Sequence, residues 1–236
     1  MPKERQIMSE AVVQWEEILF HLGNQPTPGV EYVHLSVGYQ GIDSARNYLS
    51  FKFMEQSSHP DDTLVMLDND HLHPKDIVVK LASRNKPVVG ALAYKRKAPF
   101  FPIAYVKDPK DGRLKVPIRT PASLFECGVV GGAALAIKRS VFTALSAKGY
   151  QWPWFRFTYQ DWALYRSGED VFFMTNCGNV GIKVYCDGTI VTPHLDSIGR
   201  GESDWQDWLN GPTRTFNGQD IKDELIDEVP ESYLVK

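Results

Sequence analysis

Long apolar runs, paired cysteines and an excess of basic charge are all missing from this 236-residue sequence. No stretch approaches the roughly 18 to 20 consecutive apolar residues that a membrane span requires. The opening MPKERQIMSEAVVQW carries charge where an export signal places its apolar centre. The expectation is a chain that neither spans a membrane nor is exported. Cys127, Cys177 and Cys186 are unevenly spaced and form no CxxC, which argues against a disulfide framework and a structural zinc site. A reducing, cytoplasmic setting fits, the host's cytoplasm if a phage encodes the chain. A formal net charge of −3 exerts no long-range pull on nucleic acid or an anionic surface, so nucleic acid is not indicated and any polyanion must be held locally. Linker-like segments, internal repeats and low-complexity blocks are also lacking. One domain is expected over residues 1–199, with a polar tail or lid over 200–236 anchored by Trp205 and Trp208.

What is present is a regular alternation of patterns. Ile7, Ala11, Val12, Trp15, Ile18, Leu19 and Leu22 recur at helical spacing, and Gly23 follows to end the helix. VEYVHLSV (30–37) alternates as a strand does, and the stretch from Ile42 to Gln56 predicts a helix with Asp43 as its N-cap. LVML (64–67) reads as a short strand, 74–85 as a helix with Pro74 in its first turn, and KPVVGALAY (86–94) as another strand. Repeated βα units with continuous apolar strands predict an α/β fold whose central sheet is mainly parallel, with helices on both faces. Ligands bind such sheets beyond the carboxyl ends of the strands. Residues 95–125 are basic and proline-rich with an Asp-Gly turn, which reads as a hairpin or crossover inserted over the sheet. A strand and helix follow over 129–149, then an aromatic-dense loop, a helix near 168–181, and extended segments over 182–187 and 189–196.

The sharpest local feature is LDND (67–70), where an apolar strand ends on two carboxylates spaced i and i+2. A turn there lets both approach one point of high positive charge. Mg²⁺ or Mn²⁺ takes one or two carboxylates and fills its remaining positions with water and phosphate oxygens, so the pair suits a nucleoside diphosphate. The competing account has Asp70 capping the next helix and Asp68 holding a loop amide. A second acidic pair, Glu169–Asp170, lies in SGED, which also fits a capping box with Ser167 as N-cap and Asp170 at the third helical position.

DSARN (43–47), LVMLDND (64–70), PVVGALAYKR (87–96), VVGGAALAIKRSVF (129–142), SGEDVFF (167–173) and IVTPHLD (190–196) resemble, in order and separation, the GT-A glycosyltransferases of the family 2-like, nucleotide-sugar-dependent type, including short phage and bacterial members. The resemblance implies Asp68, Asp70 and His194 as the holders of a divalent ion, Mn²⁺ ahead of Mg²⁺ because imidazole suits it better. It implies a nucleotide-sugar donor, a UDP-linked one among the candidates, and a hydroxyl-bearing acceptor. Asp170 becomes the general base of an inverting transfer, with Glu169 as its alternate. Arg46, Asn47, Gly131 and Gly132 would lie near the donor, and Arg46 would contact phosphate or steady the metal-site acids. His71 and His73 receive no role in the family and are expected outside the ligand set. Trp152, Trp154, Phe155, Phe157, Tyr159 and Trp162 would suit stacking on sugar faces, or plain packing under a loop. The sequence departs from the family at its start, where a helix stands in place of the opening strand, so the expectation is that the first strand is missing, that the start lies too late, or that Pro2 is the stump of the loop that follows that strand. A nucleotidyltransferase is the alternative on a similar sheet, disfavoured by the lack of a Gly-rich basic phosphate loop. A degenerate GT-A module that binds a glycan or a partner is the other.

Overall fold

The computed structural model describes residues 3–38, 41–160, 165–195, 202–210, 215–216, 219–220 and 225–235. In chain order the elements are α1 (Lys3–Asn24), α2 (Ile42–Gln56), β1 (Thr63–Leu67), α3 (Ile77–Ser83), β2 (Val88–Leu92), β3 (Ala104–Lys107), β4 (Leu114–Arg119), β5 (Leu124–Cys127), β6 (Val129–Val130), β7 (Ala134–Lys138) and α4 (Arg139–Ala147). Next come β8 (Thr158–Gln160), β9 (Tyr165–Ser167), α5 (Glu169–Asn179), β10 (Val184–Val191), α6 (Glu202–Asn210), β11 (Thr215–Phe216), β12 (Gln219–Asp220) and β13 (Leu225–Glu228).

The fold is α/β, but its central sheet is mixed rather than mainly parallel. The strand order is β1-β7-β2-β10-β5; β7 runs antiparallel to both of its neighbours, β10 lies parallel to β2, and β5 is antiparallel to β10. Hence β1, β2 and β10 share one direction, and β5 and β7 oppose them. The reason lies in the connections. A parallel neighbour needs a crossover that carries the chain back to the starting edge. No helix separates β2 from β5 or β7; the chain leaves β2 at its carboxyl edge, forms β3 and β4, and enters β5 from that same edge. After β6 it enters β7 from that edge as well. The insertion is the expected hairpin: β3 pairs antiparallel with β4 across an Asp111-Gly112 turn with Gly112 at φ +74°. With β6 and β13 it forms a second sheet of order β13-β4-β3-β6.

Alternation along the strands divides the core. Met66, Val88, Leu135, Ile137, Val184 and Cys186 face α4 and α5 through Phe142, Leu145, Phe173 and Met174. Val89, Ala91, Ala134, Ala136 and Tyr185 face Ile18 of α1 and Ile77 and Leu81 of α3. Helices therefore cover both faces, as the apolar strands require. Phe125, Phe142, Phe155 and Phe173 are fully buried, each contributing on the order of 2–3 kcal/mol by removal from water.

Three local expectations are corrected. Residues 30–37 form no regular element and pair with no strand among the described residues, and Val33 is 65% exposed; alternation builds a strand only where a sheet edge accepts its hydrogen bonds. Asp43 lies in the first turn of α2, behind an N-cap at Gly41, and acts on the helix dipole rather than as a cap. The third helix starts at Ile77, after an N-cap at Asp76, and Pro74 sits in the turn that leads into it. Trp205 of α6 is completely buried, packed edge-on against Phe101 at 5.7 Å. No helix of the described residues is long and apolar enough to cross a membrane.

Candidate functional site

Because β1, β2 and β10 share a direction, their carboxyl ends open onto one edge. That edge receives Asp68 and Asp70 after β1, Tyr94 to Arg96 after β2, and His194 after β10. The chain enters β7 here too: the Asp68 amide donates to the Ala133 carbonyl at 2.8 Å, which brings Gly132 beside the first carboxylate. Leu72 N donates to Pro193 O and Leu195 N to Asp70 O, both at 2.8 Å, closing an antiparallel bridge between His71 and His194. Backbone pairing thus places the late histidine beside the LDND turn.

Two groups of side chains occupy the edge. In the first, Arg46 of α2 reaches inward with only 4% of its side chain exposed. Its Nη1 donates to Glu169 Oε1 at 2.6 Å, and its Nη2 to Asp68 Oδ2 at 2.9 Å and to the Gly132 carbonyl at 3.0 Å. Gly132 has to be glycine for this, since a Cβ there would lie 2.0 Å from Nη1. Asp170 accepts from the amides of Gly132 (3.2 Å) and Val171 (2.8 Å). Burial disfavours the Arg46 charge, yet Asp68 and Glu169 outweigh it and raise its pKa. Burial also raises the Asp68 and Glu169 carboxyls, and Arg46 only partly opposes this, because one guanidinium serves two acids.

In the second group, one ligand atom each from Asp70, His71 and His194 lies within 4.8 Å of the other two. His71 is 3% exposed and its Nδ1 is 2.8 Å from Asp70 Oδ1. A carboxylate accepts, so Nδ1 carries the proton, and the buried Nε2 has no hydrogen-bond partner among the described residues. His194 Nδ1 donates to the Tyr94 carbonyl at 2.6 Å, which leaves its Nε2 lone pair free of the proton. The two rings lie 3.7 Å apart between centroids. Arg96 binds the other Asp70 oxygen at 2.6 Å. Burial alone would raise Asp70, but His71, His194 and Arg96 hold its carboxyl well below the usual range. Burial and the neighbouring His71 lower His194 to about 4, so it stays a neutral donor at ordinary pH. His73 is buried, its Nε2–H directed at the Asp68 carbonyl at 2.8 Å, and it fixes the turn from behind.

The sequence-derived residues therefore separate. Asp68, Arg46, Glu169, Asp170 and Gly132 share one network, and Asp70 and His194 share the other. Asp68 is not among the three residues whose ligand atoms converge; its oxygens are taken by Arg46 instead of being aimed at a common ion with Asp70. The capping box does not form: α5 has Gly168 as its N-cap with no side-chain cap, and Asp170 turns to Gly132. A Cβ at residue 168 would lie 2.5 Å from Asp170 Oδ1, so the small residue there frees Asp170 to do so. Asn47 is buried and clamps the Phe155 backbone, Nδ2 to its carbonyl at 2.7 Å and Oδ1 from its amide at 3.0 Å. Gly131 packs on Ile103 of the insertion.

Among the aromatics, Trp154 and Phe155 are core residues, Phe155 stacked on Phe173 at 4.5 Å, rather than sugar platforms. Trp152 is 52% exposed beside Phe51. Phe157 is half-buried, the side chain of Tyr159 is not described, and Trp162 lies outside the described residues. Sequence reasoning missed His71 and Arg96. The signal available for His71 was its position directly after the second carboxylate.

No family model matches the chain, and no curated protein matches it. Among solved structures it is similar to A197 from STIV, over 79% of each chain, with 19% identity and a TM-score of 0.44.

Proposed function

We propose that this chain is a divalent-metal-dependent glycosyltransferase that moves a sugar from a nucleoside diphosphate donor to a hydroxyl acceptor with inversion. The observation that carries the reading is the meeting of Asp70 and His194, remote in sequence, at the carboxyl edge of β1, β2 and β10 beside the buried Arg46–Asp68–Glu169 network. The ordered motifs of the sequence support it. A divalent ion, when bound by Asp70 and His194, would neutralise the diphosphate as it departs. Arg96, 45% exposed and already anchored on Asp70, is placed to meet phosphate oxygens. Asp170 is the better base of the acidic pair: it is half-buried rather than enclosed, whereas Glu169 is 6% exposed and tied to Arg46. A carboxylate held near the acceptor takes the hydroxyl proton as the new bond forms, without needing an extreme pKa. Arg46 keeps Asp68 and Glu169 in place and balances their charge beneath the donor.

The test is a screen of nucleotide sugars for metal-dependent release of nucleoside diphosphate, run on the native chain and on Asp70→Ala. Release by the native chain alone is expected. Equal release by both proteins would overturn the metal role, and no release from any donor across the panel would overturn the transferase reading.

A further inference from the structure

We propose that the outer edge of β1 is an interface between two copies of this chain, which pair antiparallel through Thr63–Leu67 about a two-fold axis at Val65 and join their five-stranded sheets into one. The inference goes beyond the transferase reading and does not depend on it.

The argument starts from the two ends of the sheet. At the far end the chain closes β5 itself: Phe125 bridges Leu234, and the Val235 amide donates to the Leu124 carbonyl at 3.0 Å. At the near end β1 pairs with β7 alone among the described residues. The ladder to β7 decides which groups are left over. The Asp68 amide donates to the Ala133 carbonyl and the Arg139 amide to the Asp62 carbonyl, both at 2.8 Å, so residues 62, 64, 66 and 68 bond inward. Alternation then turns the N–H and C=O groups of Thr63, Val65 and Leu67 outward. Such an edge is commonly blunted by lysine, proline or a bulge. TLVML contains neither residue, and its five pairs with β7 run without a register shift.

Outward N–H and C=O groups call for an extended backbone, and the sequence of the edge selects a second copy. Turned antiparallel on itself with Val65 on the axis, the strand sets Leu64 opposite Met66, Val65 opposite Val65 and Thr63 opposite Leu67, with no charge in any pair. About six backbone hydrogen bonds form between the copies. One step farther out Asp62 meets Asp68, but each carboxylate is already engaged within its own chain. Asp62 Oδ2 accepts the amides of Ser58 and His59 at 3.0 and 2.9 Å, and Asp68 is held by Arg46. Asp61 is likewise bound by Lys138 at 2.6 Å. Leu64 and Met66 belong to the core layer of α4 and α5, while Val65 and Leu67 pack with that of α1 and α3, so pairing carries both layers across the junction. Because β5 is closed, each central sheet offers one such edge and assembly stops at two.

The experiment is sedimentation velocity on the full-length chain over a concentration series, with residue-resolved amide hydrogen exchange at its two ends. The mass should rise from that of one chain toward that of two. Exchange at Thr63, Val65 and Leu67 should slow at least about tenfold at the concentrated end, whereas Leu64 and Met66, bonded to β7, stay slow throughout. Val65→Pro removes an outward amide and leaves the ladder to β7 complete, and Val65→Lys sets two ammonium groups against each other at the axis. Both variants should stay monomeric at the highest concentration, circular dichroism confirming that they are folded. A native chain that is monomeric throughout, or one whose mass grows past two copies, would overturn the proposal. So would a dimer that persists in either folded variant. Should both variants unfold, the native chain decides: exchange at the three outward amides that ignores concentration rejects the interface, and slowing confined to them supports it.

Discussion

The two groups at the carboxyl edge use similar residues to opposite ends. Around Arg46 a cation is enclosed by Asp68, Glu169 and the Gly132 carbonyl, with little exposed surface and charge set against charge. Around Asp70 the carboxylate is 42% exposed, the rings of His71 and His194 touch, and the buried Nε2 of His71 has no hydrogen-bond partner among the described residues. The first arrangement is enclosed and pairs most of its polar atoms, Arg46 Nε excepted, and acts as frame. The second is more open and is the candidate site. Buried ion pairs are costly to break, whereas exposed ones contribute little, so substitutions in the two groups should part company in a predictable order.

The largest loss of stability is expected for Arg46→Met, which leaves two carboxylates facing each other with no cation. Urea denaturation should show a cost of about 3–5 kcal/mol. A loss below about 1 kcal/mol would mean the acids are not balanced by Arg46 in the folded chain. Gly132→Ala comes next, since its methyl would displace the guanidinium from its place on the backbone; about 1–3 kcal/mol is expected. Its size relative to Arg46→Met measures how much of the cation's contribution depends on close approach. Asp170→Asn keeps an oxygen for the Gly132 amide and should cost under about 1 kcal/mol. Sugar transfer should fall by about 100-fold or more while donor binding persists. Undiminished transfer would move the base to Glu169. The smallest change is expected for Asp70→Ala, within about 1 kcal/mol in denaturation. The cysteines sharpen the contrast. All three are free and buried, and burial pushes Cys177 up to about 12. Their alkylation in native buffer should therefore accelerate in Arg46→Met and stay slow in Asp70→Ala.

Much of this architecture can be read from residue order, and the unreadable parts share a cause. The five apolar residues of β2, all buried, and the face of α1 that carries Ile18 are visible as periodicity, because burial selects residue type directly. Direction is not visible. ALAI in β7 is a buried apolar run like VVGAL in β2, and only the route of the intervening insertion makes one run against the other. The alternation of 30–37 looks like a strand because the pattern records local preference, while pairing needs an edge supplied from elsewhere. The site follows the same rule. Asp70 and His194 stand out through the order of the motifs, and Arg46 through DSARN. His71 becomes meaningful only when Pro193 and Leu195 pair with the segment that contains it, and Arg96 only when β2 and β1 deliver their ends to the same edge.

Tyr94 joins two parts of the molecule that the chain itself keeps apart. Its carbonyl steadies the ring of His194, while its hydroxyl donates to Glu202 at the head of α6. That helix is pinned in turn by the indole of Trp205 on the Ile118 carbonyl at 3.1 Å. Farther on, the Val235 amide reaches Leu124 at 3.0 Å and β13 lies along β4. Shortening the polypeptide ahead of Glu202 would strip away the outer brace of the imidazole as well as a surface helix. The late residues are thus a keystone, set last and bearing on the span laid first.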